Sequence, residues 1–418
     1  MNVKSKFSFN IHSLFNLVSL SDVGLAWILF FSIFYQKLAP IGFGLMLISL
    51  FTTKKKVSVN DALLFVKKGP ALWFIAYYLT LLVAMLWTNN IGFGLSKLEN
   101  KLTFLIFPFL IVFSVITITI RQVVLILFSA ILLALIISNI LGYQYVSGVG
   151  ASIDWNLFEQ ISNAKTFSWN MHRSYFSCYC NILIIFFLNS LIIKEIKSRF
   201  RLISIFGILV CSVGVIQSLS KINIILLILI FLIYFVYFVV KRLNYLEIIL
   251  FSSLFALGVF FISNNKAITY RFNEIKQSTN DIKLQNNNGL ESSKVRLIMW
   301  NTSWYLWRNN IIIGTGTGDY NDELKIQNIK NGNIGVARVE LNSHNQFLNT
   351  GVQLGLLGFV ILAMIFCSSF LIYPKSLWHI SVLMVFLVNF LVESFLETQS
   401  GIVLFCVLLI LFYSPQRE

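Results

Sequence analysis

Long apolar runs broken by short polar stretches make up most of this chain. A helix that crosses a bilayer core needs roughly 20 apolar residues, within a range of about 17 to 25. On that measure about twelve spans are expected. They lie near 21–36, 38–53, 70–88, 103–120, 123–142, 174–193, 202–220, 222–240, 245–263, 346–373, 377–393 and 401–414. The first, second and last are short for a full crossing. No repeat of 20–50 residues is evident, and the two halves differ in loop plan.

The polar residues between the spans set the orientation. With the N-terminus inside, the inner loops hold Lys54, Lys55, Lys56, Lys67 and Lys68, then Arg121, then Lys194, Lys197, Arg199 and Arg201, then Lys241 and Arg242, and finally Lys375. Every inner loop is then basic, as the positive-inside rule requires. Both ends of the chain are therefore expected inside, and the long connection 264–345 outside. A shorter external segment, 143–173, contains Asp154, Trp155, Trp169, His172 and Arg173. The fold class that follows is an all-α polytopic membrane protein with one large external loop carrying short helices. The chain divides into nine spans over 1–263, the loop 264–345, and three spans over 346–418. Within the loop, Gln285–Gly289 (QNNNG) is expected to form a flexible turn.

Composition agrees with this plan. Hydrophobic residues make up 57% of the 418 and charged residues only 12%, against about 25% charged in a typical soluble domain. The net charge of +15 sits in short inner-loop clusters rather than along one face, which argues against nucleic acid as a partner. The five cysteines all lie in apolar segments and match neither a disulfide framework nor a zinc spacing; they are expected to be buried apolar residues. The N-terminus is expected to be an uncleaved first span.

Few ionisable residues fall at mid-span. The external charge is carried by Lys97, Glu99, Lys101, Arg173, Lys221, Arg296, Glu393 and Glu397. A secondary transporter usually places such groups at the midplane between repeated halves, so chemistry is expected at the outer surface instead. In Lys294–Arg308 (KVRLIMWNTSWYLWR), Arg296, Trp300, Trp304 and Trp307 share one helical face. Tryptophans on one face favour the headgroup level, which predicts a helix along the outer leaflet. The arginine either snorkels or offers its planar fork to a phosphate.

Next comes IIIGTGTGDY, with Gly314, Gly316 and Gly318. No strand–turn–helix context supports a dinucleotide reading, so a tight turn after a helix is expected, with Asp319 and Asp322 solvated. The stretch NSHNQFLNTGVQLGLLG, residues 342–358, then runs from polar residues into a span. His344 there is open to three readings: a general base near neutral pH, a metal ligand without companions, or a neighbour of the capping residues Asn342 and Ser343.

Taken together, an external arginine–tryptophan helix (Arg296, Trp300), a G-x-G turn (Gly314, Gly316, Gly318), an HN pair (His344, Asn345) and a span with spaced glycines (Gly351, Gly355, Gly358) resemble the O-antigen ligase and polymerase superfamily, often called Wzy-C or WaaL-like. The motifs cover roughly 265–360. The resemblance implies a GT-C-like membrane glycosyltransferase of the bacterial inner membrane, inverting and metal-independent, with no cofactor and an active site facing the periplasm. Its partners would be a glycan on undecaprenyl diphosphate and an acceptor hydroxyl, lipid A-core oligosaccharide first among them. Another lipid-linked chain or a protein side chain are the alternatives, and a lipid-linked-sugar flippase is the reading from a different class.

The family's base corresponds to His344 and its loop arginine to Arg296, which would hold the diphosphate. A second family arginine, in a Ser-Arg-Gly stretch, is replaced here by Lys221 in SLSKI; Arg173 in HRSY is the other candidate for that role.

Overall fold

The computed structural model describes residues 19–52, 65–67, 69–148, 160–162, 169–192, 198–240, 292–339, 342–372 and 376–413, with a few isolated positions between them. Among the described residues every regular element is a helix, and the chain is an all-α polytopic membrane protein. Helices α1 (Leu20–Phe34) and α2 (Ala39–Thr52) form a hairpin; α3 spans Ala71–Ala84, α4 Ile91–Lys101, α5 Thr103–Phe113 and α6 Ile120–Gly148. Then follow α7 (Arg173–Ile192), α8 (Ser198–Gln217) and α9 (Lys221–Val240). The region expected outside the membrane contributes α10 (Ser292–Asn309), α11 (Tyr320–Lys330) and α12 (Ile334–Arg338), before α13 (Gln346–Ile372), α14 (Leu377–Val392) and α15 (Gln399–Tyr413).

Among the described residues five helices (α6 to α9 and α13) are long and apolar enough to cross a membrane. Their lengths of 20–29 residues correspond to about 30 Å or more at about 1.5 Å per residue. The expected spans 245–263 and the QNNNG turn lie outside the described residues. The expected span 103–120 is shorter than foreseen, because α5 ends at Phe113. Residues after it are β-branched and extended, and their backbone finds a buried partner elsewhere. Asp22 accepts from Thr117 N at 2.8 Å, Thr117 Oγ1 at 2.6 Å and Ile118 N at 3.2 Å. Helix α4, which has no counterpart among the expected spans, is too polar along one side to register as a span (GLSKLENK).

Close helix packing uses small residues where two backbones meet. In the α1–α2 hairpin a Cβ on Gly24 would lie 2.7 Å from the carbonyl oxygen of Gly42, and one on Gly42 2.6 Å from that of Gly24. Cys178, Cys180, Cys211 and Cys406 are buried as expected, whereas Cys367 is exposed on α13.

The two ends of the bundle are separately tied. At one, Gln36 Nε2 donates to Asn170 O at 3.0 Å and Gln36 Oε1 accepts from Ser400 N at 3.3 Å, which joins the α1–α2 turn to the starts of α7 and α15. At the other, Asp22 holds the α5–α6 connection and Tyr413 Oη donates to His379 O. The charges discussed below gather at the first end.

Candidate active site

The site is built around a carboxylate. Helix α14 ends at Val392, where the chain turns to extended geometry at Glu393 and enters a short turn, Phe395–Glu397, before α15. Connecting segments normally lie at the surface because their backbone needs water. This one is buried, and protein groups take the place of water on its backbone: Leu396 N donates to Gln346 Oε1 at 2.7 Å and Tyr175 Oη to Ser394 O at 3.2 Å.

Glu393, only 4% exposed, collects side chains from three other elements. Arg296 Nη2 of α10 donates to its Oε1 at 2.6 Å, Ser174 Oγ of α7 donates to the same oxygen at 3.1 Å, and His344 Nδ1 lies 3.4 Å from Oε2. Burial pushes the Glu393 carboxyl up, but the His344 hydrogen bond and the Arg296 charge outweigh it and hold the group at about 2. The carboxylate is thus ionised and can only accept. It follows that the neutral His344 ring carries its proton on Nδ1 and leaves Nε2 as a lone-pair acceptor.

Helix α10 aligns the parts. Arg296 reaches Glu393; one turn on, Trp300 Nε1 donates to the His344 carbonyl at 3.1 Å; one turn further, Ser303 Oγ donates to Ser343 Oγ at 2.8 Å. Trp307 closes the stripe against Gly351, where a Cβ would sit 2.5 Å from the ring. At about 100° per residue, 296, 300, 303 and 307 stay within about 60° of one another, whereas 304 falls about 80° round from 296. Accordingly Trp304 is exposed and Trp300 and Trp307 turn inward. The expected single face of outward tryptophans is corrected: two of the three are structural clamps.

Lys221, at the first position of α9, donates from Nζ to Ser293 Oγ at 2.9 Å, one turn before Arg296 on α10. Arg173 turns elsewhere: its Nη1 donates to Ser162 O at 2.7 Å and its guanidinium lies 5.4 Å from the Phe167 ring centre. Below the cluster, Asn223 and Asn389 exchange side-chain hydrogen bonds at 3.0 and 3.1 Å, and Asn181 donates to Asn223 O at 3.0 Å. This polar rung ties α7, α9 and α14 just beneath the residues they present.

A second buried acid, Glu397, anchors the same turn. It accepts from Lys97 Nζ at 2.6 Å, Lys101 Nζ at 3.1 Å, Asn349 Nδ2 at 3.1 Å and Tyr320 Oη. Burial raises its carboxyl, and the Lys101 and Lys97 charges pull it back to about 2. These contacts lock α4, α11 and α13 around the turn that carries Glu393.

The glycines have another use than the one expected. Gly355 breaks α13 at φ +65° and ψ −155°. The backbone groups freed there are taken by the turn after α10: Leu356 N donates to Ile311 O at 2.7 Å, Thr315 N to Val352 O at 2.8 Å and Gly316 N to Gln353 O at 3.1 Å. A Cβ on Gly355 would meet Ile312 O at 2.3 Å, and one on Gly314, at φ +69°, would meet Gln353 at 2.6 Å. So Gly355 serves a break seated on the turn at Ile312, Gly351 packs against the Trp307 ring, and Gly358 meets only Leu354 of its own helix. Asp319 is not solvated either: it accepts from Asn89 N at 2.8 Å and Asn90 N at 2.7 Å, which docks the turn onto the start of α4. The cap of α13 is Asn345, whose Oδ1 accepts from Leu348 N at 3.0 Å; Asn342 Oδ1 instead accepts from His344 N at 3.0 Å.

Among the described residues the non-glycine positive-φ positions are Trp169 (+58°), Leu219 (+53°) and His344 (+46°). Two lie four and two residues before the helix starts that present Arg173 and Lys221, and the third is the candidate base itself. Backbone strain of this kind persists where surrounding contacts over-determine it, and it concentrates at functional sites. No group of three His, Cys, Asp or Glu side chains among the described residues is arranged to hold a metal ion.

The sequence-based candidates Arg296 and His344 therefore meet on one carboxylate, Lys221 bonds Ser293 one helical turn before Arg296, and Arg173 bonds Ser162 O instead. Glu393 and Ser174 were not anticipated. The available signal was VESFLETQS, two acids four residues apart in a short connection between spans. Compared with known families, residues 206–363 match the family model described as Wzy_C, O-antigen ligase. Comparison with curated proteins gives no match. The matched stretch contains Lys221, Arg296 and His344 but stops short of Glu393 and begins after His172 and Ser174.

Proposed function

The match over residues 206–363 supports the O-antigen ligase/polymerase superfamily, and on that premise we propose that this protein transfers a glycan from undecaprenyl diphosphate to an acceptor hydroxyl at the periplasmic face of the inner membrane. The acceptor first in line is lipid A-core oligosaccharide. The observation that carries the reading is the meeting of Arg296 and His344 on buried Glu393, at the end of the bundle opposite the basic loops.

In this proposal His344 Nε2 takes the acceptor proton as the acceptor oxygen attacks the anomeric carbon. The bond from that carbon to the diphosphate oxygen breaks, the configuration inverts, and undecaprenyl diphosphate leaves with the electron pair. Glu393 holds the Nδ1 proton and stabilises the imidazolium that forms, as a carboxylate does for any histidine base. A diphosphate is a good leaving group and needs positive charge more than a proton. Arg296 and Lys221 supply it. Arg296 engages Glu393 through Nη2 while its buried Nε has no hydrogen-bond partner among the described residues, which leaves donor capacity for a phosphate oxygen. Lys221 is the better placed of the two candidates for the second cationic role. Positioned base, positioned cations and inversion account for the reaction without a metal.

The test is a purified assay in nanodiscs. An undecaprenyl-diphosphate glycan is offered with lipid A-core, with a second lipid-linked chain and with a serine- or threonine-containing peptide in turn. Transfer to one acceptor, abolished by His344→Ala in a protein that still folds, is expected. No transfer to any of the three, or transfer that survives His344→Ala, would overturn the reading.

A further inference from the structure

His172 is the N-cap residue of α7. Its carbonyl accepts from Tyr175 N and Phe176 N at 3.0 Å each, and its ring Nδ1 accepts from the backbone N–H of Ser174 at 3.4 Å. An acceptor Nδ1 has no proton, so the neutral ring must carry its proton on Nε2. That is the opposite tautomer from His344, whose Nδ1 donates and whose Nε2 accepts. The His172 side chain is exposed, with its ring 5.4 Å from that of Tyr175. It lies within electrostatic reach of Glu393, Arg296, His344 and Arg173. Its neighbour Ser174 hydrogen-bonds Glu393 directly.

The turn that presents it is held on two sides: Gln36 Nε2 bonds Asn170 O, and Trp169, at positive φ, stacks on Phe34 at 6.3 Å. The ring is therefore presented to the site by a fixed backbone.

We infer that His172 is a second substrate-binding histidine of this site, donating a hydrogen bond from Nε2 to the diphosphate of the lipid-linked donor. The inference rests on the transferase reading above for the identity of the ligand. An anion is the ligand favoured at this position because the ring sits at the N-terminal end of α7 within electrostatic reach of Arg296, and the nearby Glu393 charge is already engaged by Arg296 Nη2 and Ser174 Oγ. Desolvation by the surrounding protein, with the Arg296 charge, favours the neutral ring against the opposing pull of Glu393, and a neutral ring binds through its N–H without adding a charge. The two histidines thus divide the work by tautomer: one accepts a proton, the other only donates a hydrogen bond.

Two substitutions separate this role from the cap. Asparagine is a good N-cap, so His172→Asn keeps an acceptor for Ser174 N–H and removes the Nε2 donor. His172→Gln extends a donor toward the Nε2 position and weakens the cap. In nanodiscs, affinity for undecaprenyl diphosphate and donor KM are measured together with the melting midpoint. For His172→Asn the expected result is about 10-fold weaker binding of undecaprenyl diphosphate, the size of one hydrogen bond to a charged group, with an unchanged midpoint and unchanged acceptor KM. For His172→Gln, binding recovers and the midpoint falls. Wild-type binding in the Asn variant, or a change in midpoint alone, overturns the role of His172. A protein that binds undecaprenyl diphosphate through His172 but transfers no glycan overturns the transferase reading and leaves the binding site standing. Wild-type protein that fails to bind undecaprenyl diphosphate overturns both.

Discussion

At the scale of single residues, Glu393 decides what His344 can do. Removing its charge while keeping its shape, by Glu393→Gln, frees the imidazole to adopt either tautomer and leaves the Arg296 guanidinium beside a neutral amide. General-base catalysis contributes about 100- to 10,000-fold, so Glu393→Gln is expected to lower kcat by about 100-fold or more in the nanodisc transfer assay, with a smaller change in donor KM. Arg296→Lys keeps the charge but loses the planar fork; donor KM should rise and recover only partly relative to Arg296→Ala, and full activity of the lysine variant would remove phosphate recognition by a fork.

The same carboxylates make a pH prediction. Both Glu393 and Glu397 are held at about 2, below the ordinary 4.5. A depressed carboxyl stabilises the fold fully above its unfolded value and loses that stabilisation as pH falls. The melting midpoint in detergent should therefore be level above about pH 4.5 and decline between there and about pH 2. Glu393→Gln should start lower and decline less over that window.

At the scale of elements, backbone contact rather than side-chain chemistry sets the tolerances. Gly42 and Gly44 lie two residues apart on α2, yet a Cβ on Gly42 would meet Gly24 O at 2.6 Å, whereas one on Gly44 meets nothing within 4 Å. Alanine in a helix is favoured over glycine by about 1 kcal/mol. Gly44→Ala should leave the melting midpoint unchanged or slightly raised, and Gly42→Ala should lower it by several degrees. A larger loss is expected for Gly355→Ala, where a backbone at φ +65° and ψ −155°, essentially confined to glycine, costs roughly 1–3 kcal/mol and the new carbon runs into Ile312 O. That break is what lets the α10–α11 turn seat on α13. Its disruption should therefore reduce transfer as well as stability, which activity and melting measured on the same preparation would reveal.

For the whole molecule, the arrangement predicts sidedness. Lys330 is exposed on α11 at the site end, and Ser198 is exposed at the start of α8 at the opposite end. In a background with the native cysteines replaced, Lys330→Cys should react with a membrane-impermeant maleimide added to spheroplasts, and Ser198→Cys only after permeabilisation. The reverse pattern would invert the topology and place the candidate site on the cytoplasmic side.

The sequence by itself determined the class of molecule, because burial in a bilayer demands long apolar runs, and its basic loops supply the expected side that the labelling tests. It also named Arg296, Trp300 and His344, since one helical face and one polar stretch at the lip of a span are local patterns. Tertiary structure decided the rest. Glu393 looked like any acid at a span end until α7, α10 and the lip of α13 brought Ser174, Arg296 and His344 onto its two oxygens. Trp307 pairs with Gly351, Asp319 with the start of α4, and Gly355 with the turn at Ile312. In each pair the partners are tens to hundreds of residues apart in the chain, so no spacing rule links them. The tautomers of His344 and His172 depend likewise on which acceptor or donor the fold sets against Nδ1. Helices follow from periodicity, but the protonation pattern of a site follows from contacts that exist only once the helices have packed.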